Sequence, residues 1–260
     1  MSAPEPSGVA RGDAPAAGSP GQDEGAPARR RWARLTWQAG DPASLAAALA
    51  GRLGLAPQDV GGGTWRIDLG GEPLDVVPWR REGPHDAPSP EGRLMLEPID
   101  GGGPAPVPAP GAPLALAGIA WSTVELDRAE AELEPWLLPA ERSMGDGDAP
   151  VDPHLGARAR RRRTAVLPGA AIVLAEPATE GRLAASLARD DEGPCALYLV
   201  PAGGLAAWVA AARRRGVAVS ARRPGPLGDA VLLPGRVMAG PHLLLVEAVA
   251  MPASPGTIAP

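Results

Sequence analysis

Three stretches of the chain share one hydrophobic pattern: an apolar strand-like run, a turn, an Ala/Leu-rich run at helical spacing, further short apolar runs, and a closing apolar run that ends in glutamate. The openings are ARLTWQAGDPASLAAALAGRLGL from Ala33, LAGIAWSTVELDRAEAELEPWL from Leu116 and ALYLVPAGGLAAWVAAARRRGVAV from Ala196. The closings are RLMLEPI with Glu97, AIVLAEP with Glu176 and HLLLVEA with Glu247. Between them TWRIDLGG, LDVVPW, GARARRRR, VAVSARR and DAVLLP read as short strands bounded by turn residues. The unit is β-α-β-β-β, give or take a strand, written three times. One such unit leaves a sheet face uncovered, so two copies are expected to pair and close a core. Gly54 and Gly216 follow Arg-containing last turns and mark helix ends. The predicted class is α+β: paired βαβββ modules forming a cupped mixed sheet, with an additional degenerate N-terminal module.

Polar and low-complexity stretches divide this pattern. Residues 1–30 are rich in Pro, Gly, Ala and Ser without apolar periodicity, the composition of a disordered tail. Residues 31–100 hold the N-terminal module. The Gly/Pro run 101–112 reads as a linker, residues 113–250 as a two-module domain and 251–260 as a second tail. Pro135 and the loop MGDGDAPVDP (144–153) interrupt the middle copy, the latter as a lid or an insertion.

Composition narrows the chemistry. The 260 residues carry 45% hydrophobic side chains, enough for a core. All 25 basic residues are Arg, and Lys, Asn and Phe are absent, the usage of a GC-rich bacterial genome. A net charge of -5 gives no basic footprint for nucleic acid. One cysteine excludes an internal disulfide and a multi-Cys metal site and suits a cytoplasmic setting. No run approaches the apolar length of a membrane helix, and no signal-peptide pattern opens the chain. The GGG clusters at 61 and 101 do not lead into a Lys-Ser or Lys-Thr pair, so they are not phosphate loops.

The segments LAGIAWSTVELDRAEAEL, AIVLAEPATEGRLAASLARDDEGPCALYL and GPLGDAVLLPGRVMAGPHLLLVE resemble the vicinal oxygen chelate superfamily, specifically its glyoxalase-like and methylmalonyl-CoA epimerase-like branch. The resemblance covers about residues 114–250. It implies two βαβββ modules around a divalent metal held by one side chain from each of four strands. Carried over singly, those ligand positions fall on Leu116, Val173, Ala196 and Leu244, all apolar. The implied protein therefore has no metal and no cofactor. Glu176 and Glu247 lie three residues beyond ligand positions, an odd offset that turns a strand side chain to the opposite face.

Other groups could still contact a ligand. Trp121 and Tyr198 are large side chains in central strands, and His242 shares a strand face with Leu244. His85 and His154 sit in Pro/Asp-rich loops, and no two histidines have ligand-like spacing. In the arginine run, Arg158, Arg160 and Arg162 share one face, and Arg161 and Arg163 the other. The first set suits recognition of an anion such as the phosphates of a CoA-like ligand; the alternative is a charged sheet edge. Cys195 reads as a buried, inert thiol rather than a nucleophile. The expected function is binding of a small organic molecule in the cup, without metal. The alternatives are an epimerase or lyase whose atypical site uses the 144–153 loop or His242, and a structural module that dimerises through its odd third copy.

Overall fold

The computed structural model describes residues 32–80, 92–99, 112–139, 151–167, 169–233 and 241–247. The N-terminal sheet contains β1 (Trp32–Ala39), β2 (Gln58–Gly61), β3 (Thr64–Leu69), β4 (Glu72–Pro78) and β5 (Arg93–Ile99), in the order β2-β3-β4-β1-β5. Helix α1 (Pro42–Leu53) lies on it. Asp41 starts this helix by accepting the Ser44 amide at 3.0 Å, and Gly54 ends it in the left-handed region at φ 73°. Its Leu45, Leu49 and Leu53 are buried.

The second sheet has eight strands: β6 (Leu114–Ser122), β7 (Val151–Asp152), β8 (Ala157–Arg163), β9 (Ala171–Pro177), β10 (Gly193–Pro201), β11 (Arg223–Gly225), β12 (Gly228–Leu233) and β13 (His242–Val246). Helices α2 (Leu126–Glu132), α3 (Arg182–Asp190) and α4 (Leu205–Arg214) interrupt them. The order β11-β12-β13-β10-β6-β9-β8-β7 is two βαβββ modules joined by antiparallel pairing of their opening strands. In each module the opening strand also pairs in parallel with the last, β6 with β9 and β10 with β13. The fold is α+β with a nearly closed, cupped mixed sheet.

The N-terminal sheet repeats the module with one change. Here the strand parallel to β1 is β4, formed by LDVVP. The run RLMLEPI, expected to close this copy, is β5 and pairs antiparallel on the other side of β1. It stands beside β1 as β10 stands beside β6. β5 is thereby an edge strand of this sheet. Glu97 is thus not equivalent to Glu176 and Glu247, and it faces solvent. In the third copy the expected VAVSARR strand (217–223) contributes only Arg223 to a strand, as the first residue of β11.

The two faces of the eight-stranded sheet are covered differently. On the outer face, Ile119, Leu197, Leu199, Leu243 and Leu245 pack with Leu205 and Trp208 of α4. The same cluster contains Leu35, Trp37, Leu94 and Leu96 of the N-terminal sheet, so the two sheets share one core. The Ala33 amide donates to the Val166 carbonyl at 3.2 Å, and the Arg215 guanidinium donates to the Arg52 carbonyl at the end of α1. The polar face of the N-terminal sheet carries Arg34 and Arg66 on either side of buried Asp75.

On the inner face the sheet curls until its edge strands β7 and β11 approach each other. Ala120, Ala159, Ala175, Val173, Ala196 and Leu244 fill the interior together with Tyr198. Small side chains are what a tightly curled sheet can accommodate. Gly118 belongs to the same set: a Cβ there would lie 2.7 Å from the Ala171 carbonyl oxygen and 2.8 Å from Leu227 Cδ1. Across this interior the Tyr198 hydroxyl donates to Asp152 Oδ2 at 3.0 Å, while Asp152 Oδ1 accepts the His154 amide at 2.8 Å. Both residues are fully buried. Burial, with Asp152 beside it, holds the Tyr198 phenol well above its usual pKa, so it remains a donor.

Tyr198→Phe should destabilise the fold by about 1–3 kcal/mol in urea unfolding, because Asp152 keeps its burial and loses a partner. An unchanged midpoint would show that the interior contact carries no net stability. Glu72 provides a pH test. Partial burial raises its carboxyl from 4.5 to about 7, so the folded state favours the protonated form. That contribution is fully present below pH 4.5 and is lost as pH rises through about 7. After discounting for solvent, Glu72→Gln should stabilise the protein on the order of 1 kcal/mol above neutrality, with no gain at acid pH. Thermal melts across that range read the difference directly.

Candidate functional site

The four positions matched to metal ligands do not form one constellation. Val173, Ala196 and Leu244 lie in the interior cluster and are fully buried. Leu116 belongs to the outer cluster instead. The reason is a bulge: Tyr198 pairs with Gly118 but Leu199 pairs with Leu116, so Ala117 is an extra residue that reverses the alternation. Ala117 packs toward the interior in its place. All five side chains are hydrocarbon and cannot coordinate a metal. Among the described residues, no group of three or more His, Cys, Asp or Glu is placed to hold one. The cup itself is occupied by these side chains and by Tyr198, whose ring is part of the packing rather than an open wall.

The arginine run alternates as expected, but the face proposed for a ligand is the one that meets the helix. Arg160 ion-pairs with Asp127 at 2.8 Å and with Glu130, and Arg162 also pairs with Glu130. Arg158 pairs with Glu176, whose second oxygen lies 3.4 Å from the Leu126 amide at the start of α2. These three arginines fasten α2 to the outer face and are removed from the cup. Arg161 and Arg163 line a smaller cavity of about 240 Å³ at one mouth of the curled sheet, with Ala171, Leu227, Val246 and Glu247. Glu247 also pairs with Arg222.

The larger cavity, about 650 Å³, lies at the opposite end, where β6 finishes and β10 and β13 begin. One wall is Gly92–Leu96 of β5; another is α3 with the turn that follows it, from Arg182 to Glu192. Trp121, Ser122, Cys195 and His242 form the end of the eight-stranded sheet between them. Trp121 is on the outer side of β6 and meets Trp136 edge to face, with ring centroids 5.9 Å apart. His242 sits beside Ala196 in the register of β13 and β10, on the strand end facing the cavity. The other two histidines do not contribute. His154 lies in the β7–β8 turn with its Nδ1 3.5 Å from Ser220 Oγ, and His85 is outside the described residues. The 144–153 loop lies mostly outside them too.

The stretch LARDDEGPCALYLV builds much of this wall. Strand β10 begins at Gly193, two residues before the cysteine. Asp191 has φ 62° and ψ -168°, a sparsely populated conformation for a side-chain-bearing residue. Glu192 accepts the Val124 amide at 2.8 Å and ion-pairs with Arg128, tying the start of β10 to the turn that opens α2. The Ser122 hydroxyl donates to the Gly193 carbonyl at 3.0 Å. Burial pushes the Cys195 thiol up to about 12, so it is not a thiolate nucleophile at neutral pH.

Arg93, Arg182 and Ser122 were not singled out from the sequence. Arg182 did offer a signal: it is the first residue of α3, where the helix dipole disfavours a cation. Arg93 offered none, because the expected pairing put β5 elsewhere. No helix among the described residues is long and apolar enough to cross a membrane.

No family model matches the sequence, and no curated protein matches it. Among solved structures, the chain is similar to methylmalonyl-CoA epimerase from Mycobacterium tuberculosis, at 20% identity over 52% of this chain and 87% of that one, with a TM-score of 0.41. It is also similar to a Streptomyces coelicolor methylmalonyl-CoA epimerase in complex with 2-nitronate-propionyl-CoA, at 19% identity over 51% and 97% of the two chains and a TM-score of 0.38. A hypothetical protein from Bacillus halodurans matches at 17% identity over 54% and 99%, with a TM-score of 0.41. These likenesses concern the fold. The order and pairing of β6–β13 are those of two βαβββ modules joined through their opening strands.

Proposed function

We propose that this chain is a metal-free protein of the vicinal oxygen chelate type that binds a small organic molecule at the ends of strands β6, β10 and β13. The observation that carries this reading is the cavity of about 650 Å³, a size suited to a small ligand, with polar groups set beside Met95 and Trp121. The location differs from the expected one. The cup centre is packed, so a ligand has room beside it and not within it. Hydrocarbon at the metal positions supports the metal-free part, and the raised thiol pKa speaks against a cysteine nucleophile.

In domain terms, a two-module unit from about residue 113 to 250 would be preceded by the N-terminal module of residues 31–100. That module contributes the β5 wall, so both parts are needed for the cavity. A cytoplasmic setting suits the buried free thiol. A purely structural role is the second reading, favoured by the full burial of Val173, Ala196 and Leu244.

Fluorescence titration with N-phenylnaphthylamine, a neutral aromatic probe, tests the choice. The full-length protein should show saturable one-to-one binding. Ala185→Trp, placed on the exposed face of α3 in the cavity wall, should weaken it about tenfold or more without lowering the melting temperature appreciably. Absence of saturable binding, or binding indifferent to Ala185→Trp, would favour the structural role. Elemental analysis of the same preparations should return substoichiometric Zn, Ni, Mn and Co, and a full equivalent of any of them would refute the metal-free reading.

A further inference from the structure

We infer that the 650 Å³ cavity is selective for an organic anion: a carboxylate, sulfonate or phosphate group held between Arg93 and Arg182, with an apolar or aromatic body against Trp121 and Met95. This inference rests on the cavity being a ligand site, as proposed above. It adds the charge and shape of the ligand.

The two arginines come from separate elements. Arg93 begins β5 and is half-buried; Arg182 begins α3 on the facing wall. Neither has a carboxylate partner among the described residues. Elsewhere the protein pairs its arginines readily: Arg66 with Asp75, Arg160 with Asp127, Arg189 with Asp190 and Arg222 with Asp229. Arg80, Arg213, Arg214 and Arg223 also have no such partner among the described residues, but they line neither cavity. Arg93 and Arg182 are therefore set apart by their shared cavity.

The carboxylates of the same cavity do not cancel this charge. Asp190 is engaged by Arg189 at 2.7 Å, and Glu192 by Arg128 and the Val124 amide. Asp191 is the remaining one; it is exposed, on the turn after α3. The start of α3 adds to the positive side. Gly181 precedes it with no side-chain cap, so its first amides and the Arg182 guanidinium are neighbours of like polarity. An anion between these groups would relieve their repulsion, and guanidinium suits planar oxyanions. Trp121 and Met95, both half-buried in the cavity lining, define where a non-polar body would lie.

The test compares two probes that share a ring system and differ in charge: anilinonaphthalene sulfonate and the neutral N-phenylnaphthylamine. The full-length protein should bind the sulfonate about tenfold more tightly. Arg93→Met and Arg182→Met keep an apolar stem. Each should weaken sulfonate binding by about tenfold while changing N-phenylnaphthylamine affinity less than about twofold. Arg182→Lys should recover part of the loss, and raising ionic strength from about 0.05 to 0.5 M should weaken only the sulfonate. Equal affinity for the two probes, or variants that weaken both alike, would overturn anion selectivity while leaving the cavity a ligand site, provided Ala185→Trp still blocks both. If Ala185→Trp blocks neither probe, the underlying site assignment fails instead.

Discussion

The central strands β6 and β10 are apolar on both faces, and a sheet of that kind must be covered twice. Ile119, Leu197 and Leu199 on one side each favour burial by about 1.5–3 kcal/mol, and Ala120, Ala196 and Tyr198 on the other cannot be left to water without cost. The chain meets the demand asymmetrically. Helices and the entire N-terminal sheet cover the outer face; the inner face covers itself by curling. The first solution explains why a third module-like unit is present, and the second explains why the cup has no open centre.

This double covering also accounts for the chemistry that is missing from the middle of the fold. A metal site needs charged or imidazole ligands and some access for exchange; here the corresponding volume is packed with Val173, Ala196 and Leu244. The polar exception is the Tyr198–Asp152 pair, which is satisfied internally and links an edge strand to a central one. Among the described residues, space and unpaired charge are found together where the strands end, because regular packing stops there.

The modular pattern, the α1 boundaries and the alternation of the arginine run were legible because each depends on residues close in sequence. Asp41 and Gly54 illustrate this for capping, and Ala157–Arg163 for strand parity. The failures involve pairing. Nothing in LAGIAW marks Ala117 as a bulge, since the extra residue exists only relative to β10. Likewise RLMLEPI and LDVVPW are both plausible closing strands, and which of them lies parallel to β1 is decided by packing across the whole sheet. Arg158, Arg160 and Arg162 share a face by strand parity, but whether that face meets a ligand or protein depended on where α2 settled. The large cavity draws on four distant segments, so no local motif announced it.

Strand β5 has a double membership: it completes the N-terminal sheet and supplies a wall of the large cavity. Docking of the N-terminal sheet and occupation of that cavity are therefore thermodynamically linked. A molecule that bound only with β5 in place would add to the association of the two sheets by RT ln(1 + [L]/Kd), and its apparent affinity would scale with the fraction of molecules in which β5 is docked. The N-terminal module would act as a clasp whose hold is set by ligand concentration.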